Sequence, residues 1–192
     1  MRQRILAGFL FVSCAVAGAS KAPAATATFA PRLEAGGVPL VLWSQGTMRA
    51  RVFFTVYAAA LYLGEGVAPG RWAEDVPKRL EIQYFYSIPP SVMIEEGQKA
   101  LERQVPAARL PPLGPRLDRI NAAYVEVRPG DRYALTYLPA RGTELSLNGR
   151  PVVTIEGADF AAAYFGIWLG HSPASRPLRD ALLAPKKSLP DR

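Results

Sequence analysis

The stretch from Arg51 to Tyr62, Arg-Val-Phe-Phe-Thr-Val-Tyr-Ala-Ala-Ala-Leu-Tyr, limits the fold more than any other part of the chain. Its β-branched and aromatic residues suit a pleated, half-buried surface. Ala58 to Leu61 is also compatible with a helix, so that end is open between the two. Ahead of it lies a first apolar run, Val38 to Trp43, and Ser44-Gln45-Gly46-Thr47 supplies turn-forming residues between the two. Two cations, Arg49 and Arg51, lead directly into the apolar segment. A solvated strand end accounts for them. So does an arginine waiting at the mouth of an apolar cavity for an anion. Composition leaves both open.

The rest of the chain supplies partners for such a strand. Arg79 to Tyr86 alternates as a strand does, and Tyr133–Tyr137, Glu144–Leu147 and Val152–Ile155 follow as short strands. Asn148-Gly149 is a strong hairpin signal between the last two. A helix is predicted from Ser91 to Val105, with Ser91 as its cap, and a second over Leu117–Val125 with Leu117, Ile120, Ala123 and Tyr124 inward. Asp159 is read as the cap of a helix from Phe160 to Leu169 that ends at Gly170, and Arg176–Leu183 as a last short helix. Strands and helices are segregated, with no βαβ alternation. The expectation is one α+β domain, a large antiparallel sheet with helices packed on one face.

Residues 1–25 have the marks of a secretory signal peptide: Arg2 and Arg4, an apolar run from Ile5 to Ala19, then small residues offering cleavage points between 19 and 27. That run falls short of the roughly 20 apolar residues a membrane span needs. Cys14 raises lipid modification as a rival reading, but apolar residues continue after it. A cut after Ala25 leaves about 167 residues without cysteine and lowers the net charge from +7 to +4. The expected location is a bacterial periplasm, with the domain over 33–184 and a flexible tail over 185–192.

The remaining cations are scattered, which argues against a nucleic-acid partner. The single histidine, His171, sits just beyond a helix end. One histidine without cysteines makes a zinc site an unfavoured reading, and no metal or other cofactor is expected. No nucleophile elbow or phosphate-cradling loop occurs. Glu95-Glu96 are adjacent and diverge on a helix, so they form no acid/base pair.

Several stretches together resemble the chalcone isomerase-like family, in the form of an exported bacterial branch. They are Gly46 with Arg49, Val56-Tyr57 with Leu61-Tyr62-Leu63, Pro129-Gly130-Asp131, Gly142-Thr143 with Asn148-Gly149, and Phe160 running to Ile167-Trp168-Leu169-Gly170. Leu178 to Leu183 is similar to the family's closing helix. The resemblance implies a large antiparallel sheet with helices layered on one face and a ligand cleft between them. It also implies two activities. Plant enzymes of this fold use an arginine in ring closure, and non-catalytic relatives hold a fatty acid's carboxylate with an arginine and a strand tyrosine.

Carried over by position, the ligand-binding candidates are Arg49 and Tyr57, with Arg51 as the alternative arginine. On one unbent strand 49, 51, 53, 55 and 57 would share a face, and a bulge would exchange Arg49 for Arg51. Phe53, Phe54, Tyr84, Tyr86, Phe165 and Trp168 are candidate walls. The isomerases' tyrosine and asparagine are missing from the helix Ser91–Val105, which offers Val92, Met93, Gln98 and Lys99 instead. Their hydroxyl near the final helix falls close to Ile167. The expectation is therefore a non-catalytic protein that binds a small amphipathic carboxylate. The alternatives are an isomerase or intramolecular lyase on another substrate, and an envelope assembly subunit with a protein partner.

Overall fold

The computed structural model describes residues 27–50 and 54–185. Seven strands form a single antiparallel sheet in sequence order: β1 (Arg32–Ala35), β2 (Val38–Ala50), β3 (Phe54–Gly64), β4 (Lys78–Tyr84), β5 (Arg132–Leu138), β6 (Gly142–Leu147) and β7 (Arg150–Ile155). Four helices join it: α1 (Pro90–Gln104), α2 (Gly114–Asn121), α3 (Ala158–Leu169) and α4 (Arg176–Leu183). The α+β expectation, an antiparallel sheet with a helical layer, matches this architecture. The apolar alternation of the strands decides which face the helices cover. Ala59, Leu61, Leu63, Leu80, Ile82, Leu135 and Leu145 point into one core with Phe160, Phe165, Leu169, Leu178 and Leu182 of the helices.

The opposite face carries a smaller cluster, Leu40, Ala58, Ala60 and Tyr62, closed over by Phe29 of the N-terminal segment. Beside it, Arg79 and Arg132 grip the buried Glu81 at 3.1 and 2.6 Å. Opposite charges so placed offset each other's desolvation, and removing one would leave the other uncompensated.

Four local expectations need correction. Ser44 to Thr47 is not a turn: β2 runs through it, and the reversal falls between Ala50 and Phe54. β2 instead has a bulge between Leu42 and Ser44. It sends both Trp43 and Ser44 to the helical layer, where the indole Nε1 donates to the Ala184 carbonyl (2.9 Å) and the Ser44 hydroxyl to that of Ala181 (2.6 Å). The first long helix starts at Pro90 with Pro89 as its cap, because proline fits the first helical position and needs no N–H there. The second spans Gly114–Asn121 rather than Leu117–Val125. Gly157, at φ 100°, precedes α3, and Asp159 lies inside the first turn, engaged by Arg116 at 2.6 Å.

Gly46 has a structural reason beyond its place in a motif. A Cβ there would lie 2.8 Å from the Ala181 Cβ and 3.0 Å from the Leu178 Cδ1, so α4 approaches the sheet only over a glycine. Gly46→Ala is expected to lower stability by about 1–3 kcal/mol in urea unfolding. Gly70→Ala, whose Cβ would meet nothing within 4 Å, should be nearly neutral.

Lys78 is fully buried on the helical face, donating to the carbonyls of Glu74 (2.8 Å) and Val76 (3.3 Å) with its ammonium 4.2 Å from the Tyr137 ring centre. Burial pulls its pKa down to about 8, against a smaller upward pull from Asp75. Between about 8 and the ordinary 10.5 the folded state gives up this proton before the unfolded chain does. Stability contributed at this site should therefore rise with pH across that window. Measured against Lys78→Met, the wild type should gain relative stability from pH 8 to pH 10; a flat difference would contradict the placement.

Candidate functional site

A second bulge shapes the site. Met48 pairs with Tyr57 and Arg49 with Thr55, so Val56 is the extra residue on β3. Val56 and Tyr57 therefore both turn toward the helical layer, and with Met48 they line a chamber of about 180 Å³. β4 adds Ile82 and Tyr84, α1 adds Met93 and Gly97, and α3 adds Tyr164, Ile167 and Trp168. Tyr124, just after α2, adds a further phenol to the wall.

Six aromatic side chains close into a circuit, five of them lining this space and Tyr133 linking Tyr84 to Tyr124 from outside the lining. Tyr57 meets Tyr84 edge to face (5.7 Å between ring centres), Tyr84 meets Tyr133 (6.3 Å), and Tyr133 meets Tyr124 (5.1 Å). The Tyr124 and Tyr164 hydroxyls share a hydrogen bond of 2.9 Å, and Tyr164 lies against Trp168 at 6.2 Å. Trp168 then donates its indole N–H to the Tyr57 oxygen at 3.2 Å, returning to the start. The arrangement is locally encoded: Phe160, Tyr164 and Trp168 recur every fourth residue, one stripe of α3.

Burial controls the chemistry of these phenols. It pushes Tyr57 up to about 12, with the Trp168 bond pulling weakly the other way, and it holds Tyr84, Tyr124 and Tyr164 well above the ordinary phenol value. Near neutral pH all four are uncharged. Tyr57 accepts from Trp168, so its own proton is free to donate. Of the two protons on Tyr124 and Tyr164, one bridges the pair and the other is free. The chamber thus offers neutral donors in an apolar surround, an arrangement that suits an anionic or strongly polar oxygen. Glu96, the one carboxylate in the wall, pairs with Lys99 at 3.0 Å on the exposed side of α1.

The candidates taken from sequence fare differently. Tyr57 lines the chamber. Arg49 does not share its strand: it is the penultimate residue of β2, exposed, and alternation places it on the face opposite Met48. The two residues belong to neighbouring strands of a hairpin and are not brought together. The premise of one unbent strand fails because the reversal and the bulge both fall between them. Arg51 and Phe53 lie outside the described residues. Among the candidate walls, Tyr84 and Trp168 line the chamber, Phe165 is buried in the core, and Phe54 and Tyr86 are exposed.

Tyr124 and Tyr164 were missed as site residues. α1, the helix after β4, carries no tyrosine, and the phenols come from α3 and the segment after α2. The fourfold spacing of α3 was the available signal. A larger groove of about 900 Å³ runs between the end of α1, α3 and α4, where the Gln104 amide lies over Gly166 and Gly170. It contains none of the circuit's aromatic rings. Among the described residues no cluster of three or more His, Cys, Asp or Glu is placed to hold a metal ion.

The sequence model of the chalcone isomerase-like family matches residues 22–184. The chain belongs to the chalcone isomerase-like family. Among solved structures it is similar to a fatty-acid binding protein of Arabidopsis thaliana, with a TM-score of 0.62 and 12% identity over 81% of this chain and 90% of that one. At that identity the likeness carries the fold. No curated protein sequence matches.

If the circuit is one unit, Trp168→Phe and Tyr57→Phe should not add. Their double-mutant cycle in urea unfolding is expected to give a coupling of about 0.5–1.5 kcal/mol. Trp168→Phe should also move the Tyr57 ionisation above its value of about 12, read by ultraviolet titration against Tyr57→Phe. Strict additivity would separate the two residues.

Proposed function

We propose that the protein is a non-catalytic carrier of a fatty acid or similar small carboxylate, held with its head in the tyrosine chamber. The observation that carries this reading is the closed aromatic circuit with free phenolic protons on Tyr57 and on the Tyr124–Tyr164 pair. Phenolic protons donated to a carboxylate offset part of the cost of burying it in an apolar site. The fold it shares with a fatty-acid binding protein supports the same ligand class.

The chamber, at about 180 Å³, lies below the ~300–1,000 Å³ typical of pockets that enclose whole drug-sized ligands. The head group and the first carbons belong inside, and the rest of a longer tail leaves past Val92 at the mouth. Each buried CH₂ contributes roughly 0.8 kcal/mol. Arg49, exposed at the hairpin end and without an ion pair among the described residues, is proposed to draw anions toward the mouth over a distance of about a Debye length. An isomerase would need an electrophile beside Tyr57, and Arg49 faces the other way. The leader over residues 1–25 supports export to a periplasm as the setting.

Titration with dodecanoate, followed calorimetrically, separates these roles. Tyr57→Phe is expected to weaken binding about 10- to 100-fold, the range for losing one hydrogen bond to a charged group. Arg49→Ala should change it less than about threefold at moderate salt. The opposite ranking, or turnover of a chalcone by the wild type, would overturn the assignment.

A further inference from the structure

The apolar residues that remain exposed are not scattered. Of five large hydrophobic side chains that stay exposed among the described residues, four stand round the chamber mouth: Phe54 (55%), Tyr86 (45%), Val92 (47%) and Val125 (51%). Phe54 begins β3 at the hairpin end. Because Tyr57 pairs with Tyr84, and the Phe85 N–H bonds to the Val56 carbonyl at 3.0 Å, Tyr86 comes alongside that end on the next strand. Val92, in the first turn of α1, is part of the chamber wall. Val125 follows Tyr124 and lies two residues before Val127, which bridges to Ile88. The fifth, Val152, is on β7 at the far edge of the sheet.

Exposed apolar side chains gathered at one place on a soluble fold mark a contact surface. The charges of this rim bear on which one. Arg49 and Arg128 are exposed beside it and neither forms an ion pair among the described residues; of the acids near them, Glu126 is also without one, and Asp131 accepts from the Arg128 backbone N–H and the Asn148 amide. Glu95 and Glu96 are both engaged by Lys99. Phenyl, phenol and valine side chains flanked by exposed arginines have the amphipathic make-up of a surface that rests in the headgroup region of a bilayer. No helix of the described residues is long and apolar enough to cross one.

We infer that the chamber mouth is a lipid-docking surface: Phe54, Tyr86, Val92 and Val125 enter the interface of a bilayer containing anionic phospholipid, with Arg49 and Arg128 against its headgroups. In that orientation the chamber opens toward the membrane. An amphipathic carboxylate then passes between bilayer and chamber without its tail crossing water, which a transfer cost of roughly 0.8 kcal/mol per CH₂ would otherwise oppose. The inference rests on the carboxylate-binding reading, and the test keeps the two apart.

The full-length mature protein would be floated with vesicles of phosphatidylcholine alone and with about one-third phosphatidylglycerol, alongside Phe54→Asp and Val125→Asp, neither of which lines the chamber. Dodecanoate binding in solution is measured on the same samples. The wild type should bind the anionic vesicles, about tenfold more weakly when phosphatidylglycerol is left out, given two arginines at the surface. Each aspartate variant should lose about tenfold or more on vesicles while binding dodecanoate in solution as before. Unchanged flotation of both variants, or no flotation of the wild type, overturns the docking surface and leaves the chamber reading intact. Loss of dodecanoate binding by Tyr57→Phe together with unchanged flotation supports the surface independently of the chamber. A dimer that the aspartates dissociate would assign the face to a second copy of the chain and overturn the inference. Equal flotation on both vesicle types overturns the part given to the arginines.

Discussion

The hydrogen bond from the Trp168 indole to the Tyr57 phenol ties the helical layer to the sheet at the point where the two could otherwise close into a solid core. Elsewhere the layers meet through buried Leu, Ile and Phe side chains. At this spot five rings of the circuit line a space instead. Edge-to-face aromatic pairs hold their geometry better than aliphatic contacts do, because the ring quadrupoles favour certain angles. A chamber walled by such rings resists collapse. The same burial that keeps the rings in place keeps the phenols neutral, so structure and chemistry here have one cause.

Two irregularities of the sheet make this possible. The bulge near Trp43 fastens α4 to β2 through side-chain bonds to the last carbonyls of that helix, and Gly46 lets the helix come close. The bulge at Val56 turns that residue and Tyr57 inward together. An unbroken pairing would send one of them to the opposite face, since a one-residue slip reverses every side chain beyond it. The site therefore depends on a register that the hydrophobic pattern alone does not specify.

That dependence explains what was legible in the sequence. Strand composition, the Asn-Gly hairpin and the segregation of helices gave the architecture, because each rests on local chemistry. The place of the first reversal is not legible, since Ser44-Gln45-Gly46-Thr47 has turn-like composition for other reasons: Ser44 bonds to α4 and Gly46 makes room for it. Once the reversal moves past Ala50, Arg49 lies on a different strand from Tyr57 and on the other face. Tyr57 could be found from its motif. Tyr124 and Tyr164 could not be placed together without knowing that α3 packs over the segment after α2, a contact between residues forty positions apart. The exposed residues at the mouth look in sequence like ordinary strand and helix apolars; only their burial sets them apart.

The most direct test of the account is a crystal structure of the protein grown with dodecanoate. The carboxylate is expected within hydrogen-bonding distance of the Tyr57 hydroxyl, with the first carbons among Met48, Ile82 and Met93 and the tail directed past Val92. A carboxylate bound instead on the opposite face beside Arg49, or in the groove over Gln104, would contradict the chamber as the ligand site.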